Sequence, residues 1–312
     1  MTENFPKNHL VAIALLQQPR FGAAALRAVL RAAHESGMPL DAWIESPPEA
    51  LARRLDASIT AMVVAARPLD LSRAERLAKT LAAIGGRSLL LTDDPFPQCL
   101  LDLPDPPPLV FLLGNDELLN EAAGAVVGAR IAPPEGLRLA AESAAILAAE
   151  GPVVSGGAVG VDLAAHESAI QAAGGRSIIV LPQGIATYDA PEFLARAQEE
   201  HRLLAISAEL PLDAWETHRA VGRNAIIAAL ARVVVVIEPG KTGGSIRTAE
   251  VALAIGRRVF VWGSEIRRET LDRLIASGAQ PLLDDDGLVR ADALREAMRQ
   301  PLVPPEDDML LF

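Results

Sequence analysis

Ser155-Gly156-Gly157-Ala158-Val159-Gly160-Val161-Asp162 lies between the apolar run Pro152-Val153-Val154 and Leu163-Ala164-Ala165-His166-Glu167-Ser168-Ala169-Ile170, a segment with helical spacing. Strand, glycine loop and helix in that order turn backbone N–H groups and a helix N-terminus toward an anion. A second glycine loop, Pro239-Gly240-Lys241-Thr242-Gly243-Gly244-Ser245, follows the valine-rich run at 233–237. Either loop alone is explained by the steric demands of a tight turn. Two phosphate-sized loops in one α/β stretch point to a nucleotide or a nucleic acid strand.

Outward from these loops the pattern is regular. Apolar runs at 125–127, 153–155, 177–181, 203–207, 233–238 and 258–262 read as strands, and helical spacing separates them at 135–150, 158–173, 191–201, 223–231 and 245–255. That alternation predicts a parallel sheet covered on both faces, with ligands beyond the carboxyl ends of the strands. The expected fold is α/β, an extended Rossmann-like parallel-sheet domain at 116–290 preceded by a small helical N-terminal domain at 1–85. A proline-rich connector at 86–115, holding Asp93-Asp94-Pro95-Phe96-Pro97 and Pro104-Asp105-Pro106-Pro107-Pro108, reads as semi-rigid extended chain with a short strand at 109–113. A C-terminal helix and a proline-rich, acidic, then apolar tail are expected at 291–312. His9 and His34 in the helical domain read as surface residues.

Composition narrows the function classes. Half of the 312 residues are hydrophobic, which supports a sizeable core and excludes general disorder. The single cysteine, Cys99, excludes an intramolecular disulfide and reads as a small apolar residue beside Leu100. The apolar run at 10–16 is too short to span a membrane, so the expected setting is the cytoplasm, with no membrane partner. A net charge of −11 argues against a general polyanion binder. Residues 125–262 carry 12 Lys plus Arg against 14 Asp plus Glu, so the acidity is concentrated in the flanks and a focused basic site remains possible.

The site-building candidates sit at strand ends. Arg130, after Val127-Gly128-Ala129, can fork onto a phosphate or pair with a neighbouring helix. Gly156, Gly157 and Gly160 allow close backbone approach, Ser155 opens the loop, and Asp162 can orient it through backbone hydrogen bonds. His166 shares a helix face with Asp162; no further metal-ligand cluster accompanies them, and a structural hydrogen bond is the expected role. Arg223 and Asn224 open the helix before the valine strand, with His218 and Arg219 adding positive potential. In the last loop Gly240-Lys241-Thr242 suggests a Walker A motif, but Val235 stands where that motif needs glycine. Lys241 is left as a point charge on a phosphate, beside Thr242, Gly243 and Gly244, with Ser245 capping the next helix. No set of nucleophile, base and oxyanion donors emerges, so no catalytic residue, metal or cofactor is assigned.

The ordered segments GAR (128–130), SGGAVGVDLAAH (155–166), IIVLPQGI (178–185) followed by Tyr188, Ala208-Glu209, GRNAIIAAL (222–230), TGGSIRTAEVALAIGRRVFVWG (242–263) and SGAQPLL (277–283) resemble the DNA-processing protein A family, DprA/Smf. The connector DDPFPQCLLDLPDPPPLVFLLGN (93–115) is similar too, so the likeness spans about residues 90–285. The resemblance implies a Rossmann-like fold, single-stranded DNA binding in the cytoplasm, a homodimer, and assistance to RecA loading during natural transformation, with no known catalysis. By that likeness Arg130 matches the Gly-Ser-Arg motif. Ser155, Gly156, Gly160, Asp162 and His166 match an SGxAxGID loop and helix; Arg223 and Asn224 begin an RNRIIA motif; and Thr242, Gly243, Ser245 and Thr248 match SGSLxTA. Departures are Val159 and Ala225 at positions usually polar or basic, Asp189 in place of a proline, and Trp262-Gly263 in place of Pro-Gly. No room is expected after the sheet domain for the winged helix many members carry. Segment 239–250 is also similar to the PGGxGT-type loop of lysine-decarboxylase-like (LOG) phosphoribohydrolases, leaving a nucleotide-binding or nucleotide-hydrolysing protein as the alternative.

Overall fold

The protein is described from a computed structural model covering residues 5–302; the tail expected at 303–312 lies outside the described residues. Among those residues nine strands form one sheet: β1 (Arg87–Leu90), β2 (Leu109–Gly114), β3 (Ala123–Gly128), β4 (Val153–Ser155), β5 (Ser177–Leu181), β6 (Leu203–Ser207), β7 (Ala231–Ile237), β8 (Arg258–Trp262) and β9 (Gln280–Pro281). Their order is β1-β2-β6-β5-β4-β3-β7-β8-β9. From β6 to β9 every neighbouring pair is parallel. Strand order reverses at β3, which lies between β4 on one side and β7 on the other. The carboxyl ends Gly128 of β3 and Ile237 of β7 are register partners at that switch point.

Side-chain alternation shows why both faces are covered. In β7, Val234 and Val236 enter one apolar layer with Ile226, Ile227, Ile246 and Ala249. Val233, Val235 and Ile237 enter the opposite layer with Leu139, Leu147, Val161 and Ala165. These five β7 side chains are fully buried, and each contributes on the order of 2 kcal/mol relative to exposure. An apolar run buried on both faces has no polar alternation, which is why its valines read as a continuous stretch.

Two features depart from expectation. The connector adds an unanticipated strand, β1, and the sheet is not wholly parallel: β2 pairs antiparallel with both β1 and β6. A parallel link needs a crossover helix, and the prolines between β1 and β2 cannot build one. The N-terminal helices Lys7–Leu16, Ala23–Ser36 and Ser72–Ala83 share one apolar cluster with Phe111, Ile179, Leu181 and Leu203 of the sheet. His9, expected at the surface, is buried in that contact; its Nδ1 lies 2.8 Å from Ser88 Oγ and its Nε2 3.0 Å from Asp93 Oδ2. A histidine on a helix that docks against a strand finds its partners across the contact, which local spacing does not show. No helix among the described residues is long and apolar enough to cross a membrane.

The connector is locked to the sheet domain by Arg257. Its side chain is fully buried, pairs with Asp102, and donates to the carbonyls of Ala229 and Ile255, each at 3.2 Å. Asp102→Ala leaves a buried guanidinium without a counter-charge, and a loss on the order of 3–5 kcal/mol is expected. Urea unfolding of the variant against the parent checks this; a midpoint unchanged within error would show that the pair does not hold the connector.

Candidate functional site

At the switch point the loops after β3 and β7 and the break between the helices Thr217–Gly222 and Asn224–Leu230 enclose a crevice of about 490 Å³. Arg130, Asp162, Arg223, Asn224, Thr242, Gly243, Gly244 and Ser245 line it. The helices Val161–Gln171 and Gly244–Ala254 begin at this edge without a side-chain cap, so the positive ends of both dipoles lie beside the crevice, although Val161 N–H and Leu163 N–H already donate to Ala129 O and Ala158 O. Gly160 makes the first loop possible. Its φ is +88°, and a Cβ there would lie 2.5 Å from the Arg130 carbonyl oxygen. The loop therefore packs backbone against backbone, with Val161 N–H donating to Ala129 O at 3.2 Å.

The floor is an ionic stack. A Cβ added to Gly156 would fall 1.4 Å from Arg223 Nη1, so the guanidinium occupies the space that glycine leaves open. Arg223 Nη2 lies 3.9 Å from Asp162 Oδ2, with the side chains 10% and 8% exposed. Burial raises the Asp162 pKa, while Arg223 and the N–H groups of Ala158, Gly128 and Gly156 act in the opposite direction. Arg223 Nε and Nη1 and Asn224 Nδ2 are buried with no hydrogen-bond partner. Buried donors are rarely left unpaired, so these three, on residues that line the crevice, call for a partner.

Beneath the stack, His166 is fully buried, with Nδ1 2.7 Å from Ser177 Oγ. Ser177 Oγ donates its one proton to Val153 O at 2.7 Å, so Nδ1 carries the ring proton and Nε2 is a lone-pair acceptor. Burial, with Arg223 adding to it, pushes His166 down to about 3. His166 is thus a neutral structural residue, as its spacing from Asp162 suggests.

The rim supplies what the sequence reading missed. Trp215 is 46% exposed and lines the crevice, with the Arg130 guanidinium 5.9 Å from its ring centroid. Glu238 closes β7 at φ +52°, a left-handed conformation uncommon for a residue other than glycine. Its buried carboxylate accepts from Ser264 N at 2.6 Å, Ser264 Oγ at 2.7 Å and Arg267 Nε at 3.0 Å, holding the loop after β8 against the crevice. Burial opposes its charge, but these bonds hold the pKa below the ordinary value. The signals were a carboxylate ending an apolar run and a lone tryptophan in an acidic loop.

Several expected site residues lie elsewhere. Lys241 does not converge with Arg130 and Arg223: it points outward and pairs with Glu269 at 2.7 Å. Ser245 lines the crevice, but from inside its helix and not as the cap, a position that Gly243 occupies. Ser155 Oγ is buried and donates to Val126 O at 2.6 Å. Gly157 packs against Ile179 behind the loop. Arg219 adds no free charge, because Glu209 and Asp213 hold it at 3.1 and 3.2 Å. Cys99 is remote from the crevice, and burial pushes its thiol up to about 11.

Comparison with known proteins places this geometry in context. The family model for DNA recombination-mediator protein A matches residues 87–291. DNA processing protein DprA of Streptococcus pneumoniae is 36% identical over 177 residues, covering 55% of this chain and 61% of that protein. The putative DNA processing protein DprA of Mycobacterium tuberculosis is 40% identical over 149 residues, covering 46% of this chain and 37% of that protein. The matched region thus spans less than two thirds of either relative. The X-ray structure of the S. pneumoniae protein superposes with a TM-score of 0.73 at 27% identity, over 89% of this chain and 95% of that one. A Helicobacter pylori DNA processing protein A, described for its single-stranded DNA binding mode, shares the fold with a TM-score of 0.56 at 22% identity, over 68% of this chain and 95% of that one.

The depressed His166 pKa has a consequence for stability. An unfolded histidine takes up a proton near pH 6.5, whereas His166 in the fold does so near 3. Its contribution is therefore present above pH 6.5 and is lost as pH falls from there toward 3. His166→Asn should flatten that part of the stability–pH curve measured by thermal unfolding. An unchanged curve would show that His166 does not titrate as the burial implies.

Proposed function

This chain belongs to the DNA recombination-mediator protein A family, and from that premise we propose that it binds single-stranded DNA in the switch-point crevice. The carrying observation is the set of unpartnered buried donors on Arg223 and Asn224 beside the exposed Arg130. Guanidinium forks and amide donors suit phosphodiester oxygens, and the uncapped start of the helix at Gly244 favours the same charge. The H. pylori relative's single-stranded DNA binding supports this ligand class. On the same reading the protein acts by binding and not by catalysis, works in the cytoplasm, and assists RecA assembly in DNA uptake and recombination.

The charge balance sets how the crevice would bind. Arg267 is committed to Glu238 and Lys241 to Glu269, while Arg130 makes no ion pair among the described residues. Val159, 62% exposed and next to the crevice-lining Ala158, brings no charge. Two phosphates at roughly 0.7 each give a salt slope of about −1.4, shallow for a nucleic-acid binder. Affinity would come from a few well-placed contacts and not from a basic face, in keeping with the acidic chain as a whole.

Fluorescence anisotropy with labelled oligo-dT across a salt series tests the proposal. Arg130→Ala should weaken binding about tenfold and reduce the slope by roughly 0.7. Arg223→Lys keeps the charge beside Asp162 but loses the planar fork, and should also weaken binding. No binding at low salt would end the DNA proposal. Competition by a nucleoside monophosphate at equal concentration would favour the nucleotide-ligand alternative.

A homodimer belongs to the same proposal, with the segment after Trp262 as the contact. Ile266 and Ile275 there are 78% and 40% exposed, a large apolar presence for a free surface. Light scattering at high micromolar concentration should return a dimer mass for the parent and a lower mass for Ile266→Glu. A monomer mass for the parent counts against the dimer.

A further inference from the structure

We propose that the Trp215 ring is a nucleobase platform at the mouth of the crevice and that Arg219 is the positioning residue that holds it there. This rests on the single-stranded DNA proposal and extends it, because it assigns bases and not only phosphates to the rim. Nearly half of the Trp215 surface is open to water, although burying so large a ring is favourable. The ring lines the crevice, the Arg130 guanidinium lies 5.9 Å from its centroid, and Val221, 45% exposed, continues the apolar rim. A half-exposed aromatic ring with a guanidinium over one side suits a base stacked on the other, and such stacking tolerates any base because every base has a π-face.

The loop that carries Trp215 is fastened up to Asp213 by its backbone. Ala186 N–H donates to Pro211 O at 3.0 Å, and Gly184 N–H donates to Asp213 O at 2.9 Å. Past that point the fastening comes from Arg219. Its Nη1 donates to Ala214 O at 2.9 Å, the peptide that leads into Trp215. Its remaining nitrogens reach Glu209 at 3.1 Å, Asp213 at 3.2 Å and Glu216 at 3.6 Å, with the side chain 19% exposed. Surrounded by carboxylates, Arg219 offers a phosphate little net charge. Its loss should therefore loosen the platform without changing the salt slope.

Two strands of equal length, oligo-dT and an abasic backbone, separate the ideas in the full chain. The parent should bind oligo-dT roughly tenfold more tightly than the abasic strand. Trp215→Leu should abolish that preference, and Trp215→Phe should restore most of it. Arg219→Gln should reduce the preference and raise acrylamide quenching of the tryptophan emission, at constant slope. If the parent binds both strands equally, the platform is wrong and the DNA proposal stands. If it binds neither, both fall. If Arg219→Gln keeps the preference and the quenching of the parent, the positioning role is overturned.

Discussion

Reversal of strand order at β3 is the constraint on which the site depends. Because β4 and β7 flank β3 on opposite sides, the chain leaves the sheet in two directions at one edge, and the space between β3 and β7 cannot be filled by a short connection. Into that space project the two uncapped helix starts and the Arg223 guanidinium. Gly156 makes the guanidinium's place available, and Asp162 on the next helix supplies its counter-charge. The carboxylate thereby holds the arginine over the loop, while burial leaves two of its nitrogens unpartnered.

Around this stack the protein compensates most of its positive charge. Arg267 faces Glu238, Lys241 faces Glu269, Arg219 faces Glu209 and Asp213, and Arg257 faces Asp102. Three of these serve the architecture: Arg267–Glu238 holds the loop after β8, Arg219 the Trp215 loop, and Arg257–Asp102 the proline-rich connector. A net charge of −11 offers a polyanion no long-range attraction, so the proposed strand binding would act through short-range contacts at the crevice. For that proposed binding, donor geometry and stacking surface would matter more than the number of lysines and arginines.

Long, buried elements were the most legible. The runs at 177–181, 203–207 and 258–262 coincide with β5, β6 and β8, because apolar residues bounded by glycine and polar turns leave little freedom for a strand in a covered parallel sheet. The glycine loops were legible for a related reason, since only glycine leaves room for the Arg223 guanidinium at Gly156 and for the Arg130 and Ala129 carbonyls at Gly160. β1 was not: its few residues, Arg87–Leu90, carry no periodicity that sets them apart from a turn. Neither was the antiparallel edge, which depends on how the connector folds back across the sheet.

The sequence by itself determined the layered α/β fold, the position of the loops at the carboxyl edge, and the family likeness, because burial period and glycine placement are local properties of the chain. Tertiary structure alone decided which polar side chains face the crevice. Lys241 lies in a glycine loop yet turns to Glu269, 28 residues on, whereas Trp215 and Arg130, far apart in the chain, meet across the rim. The direction of a long side chain is set by the partner that best compensates its charge or covers its surface. Such partners come from other elements, whose positions exist only once the sheet has reversed at β3.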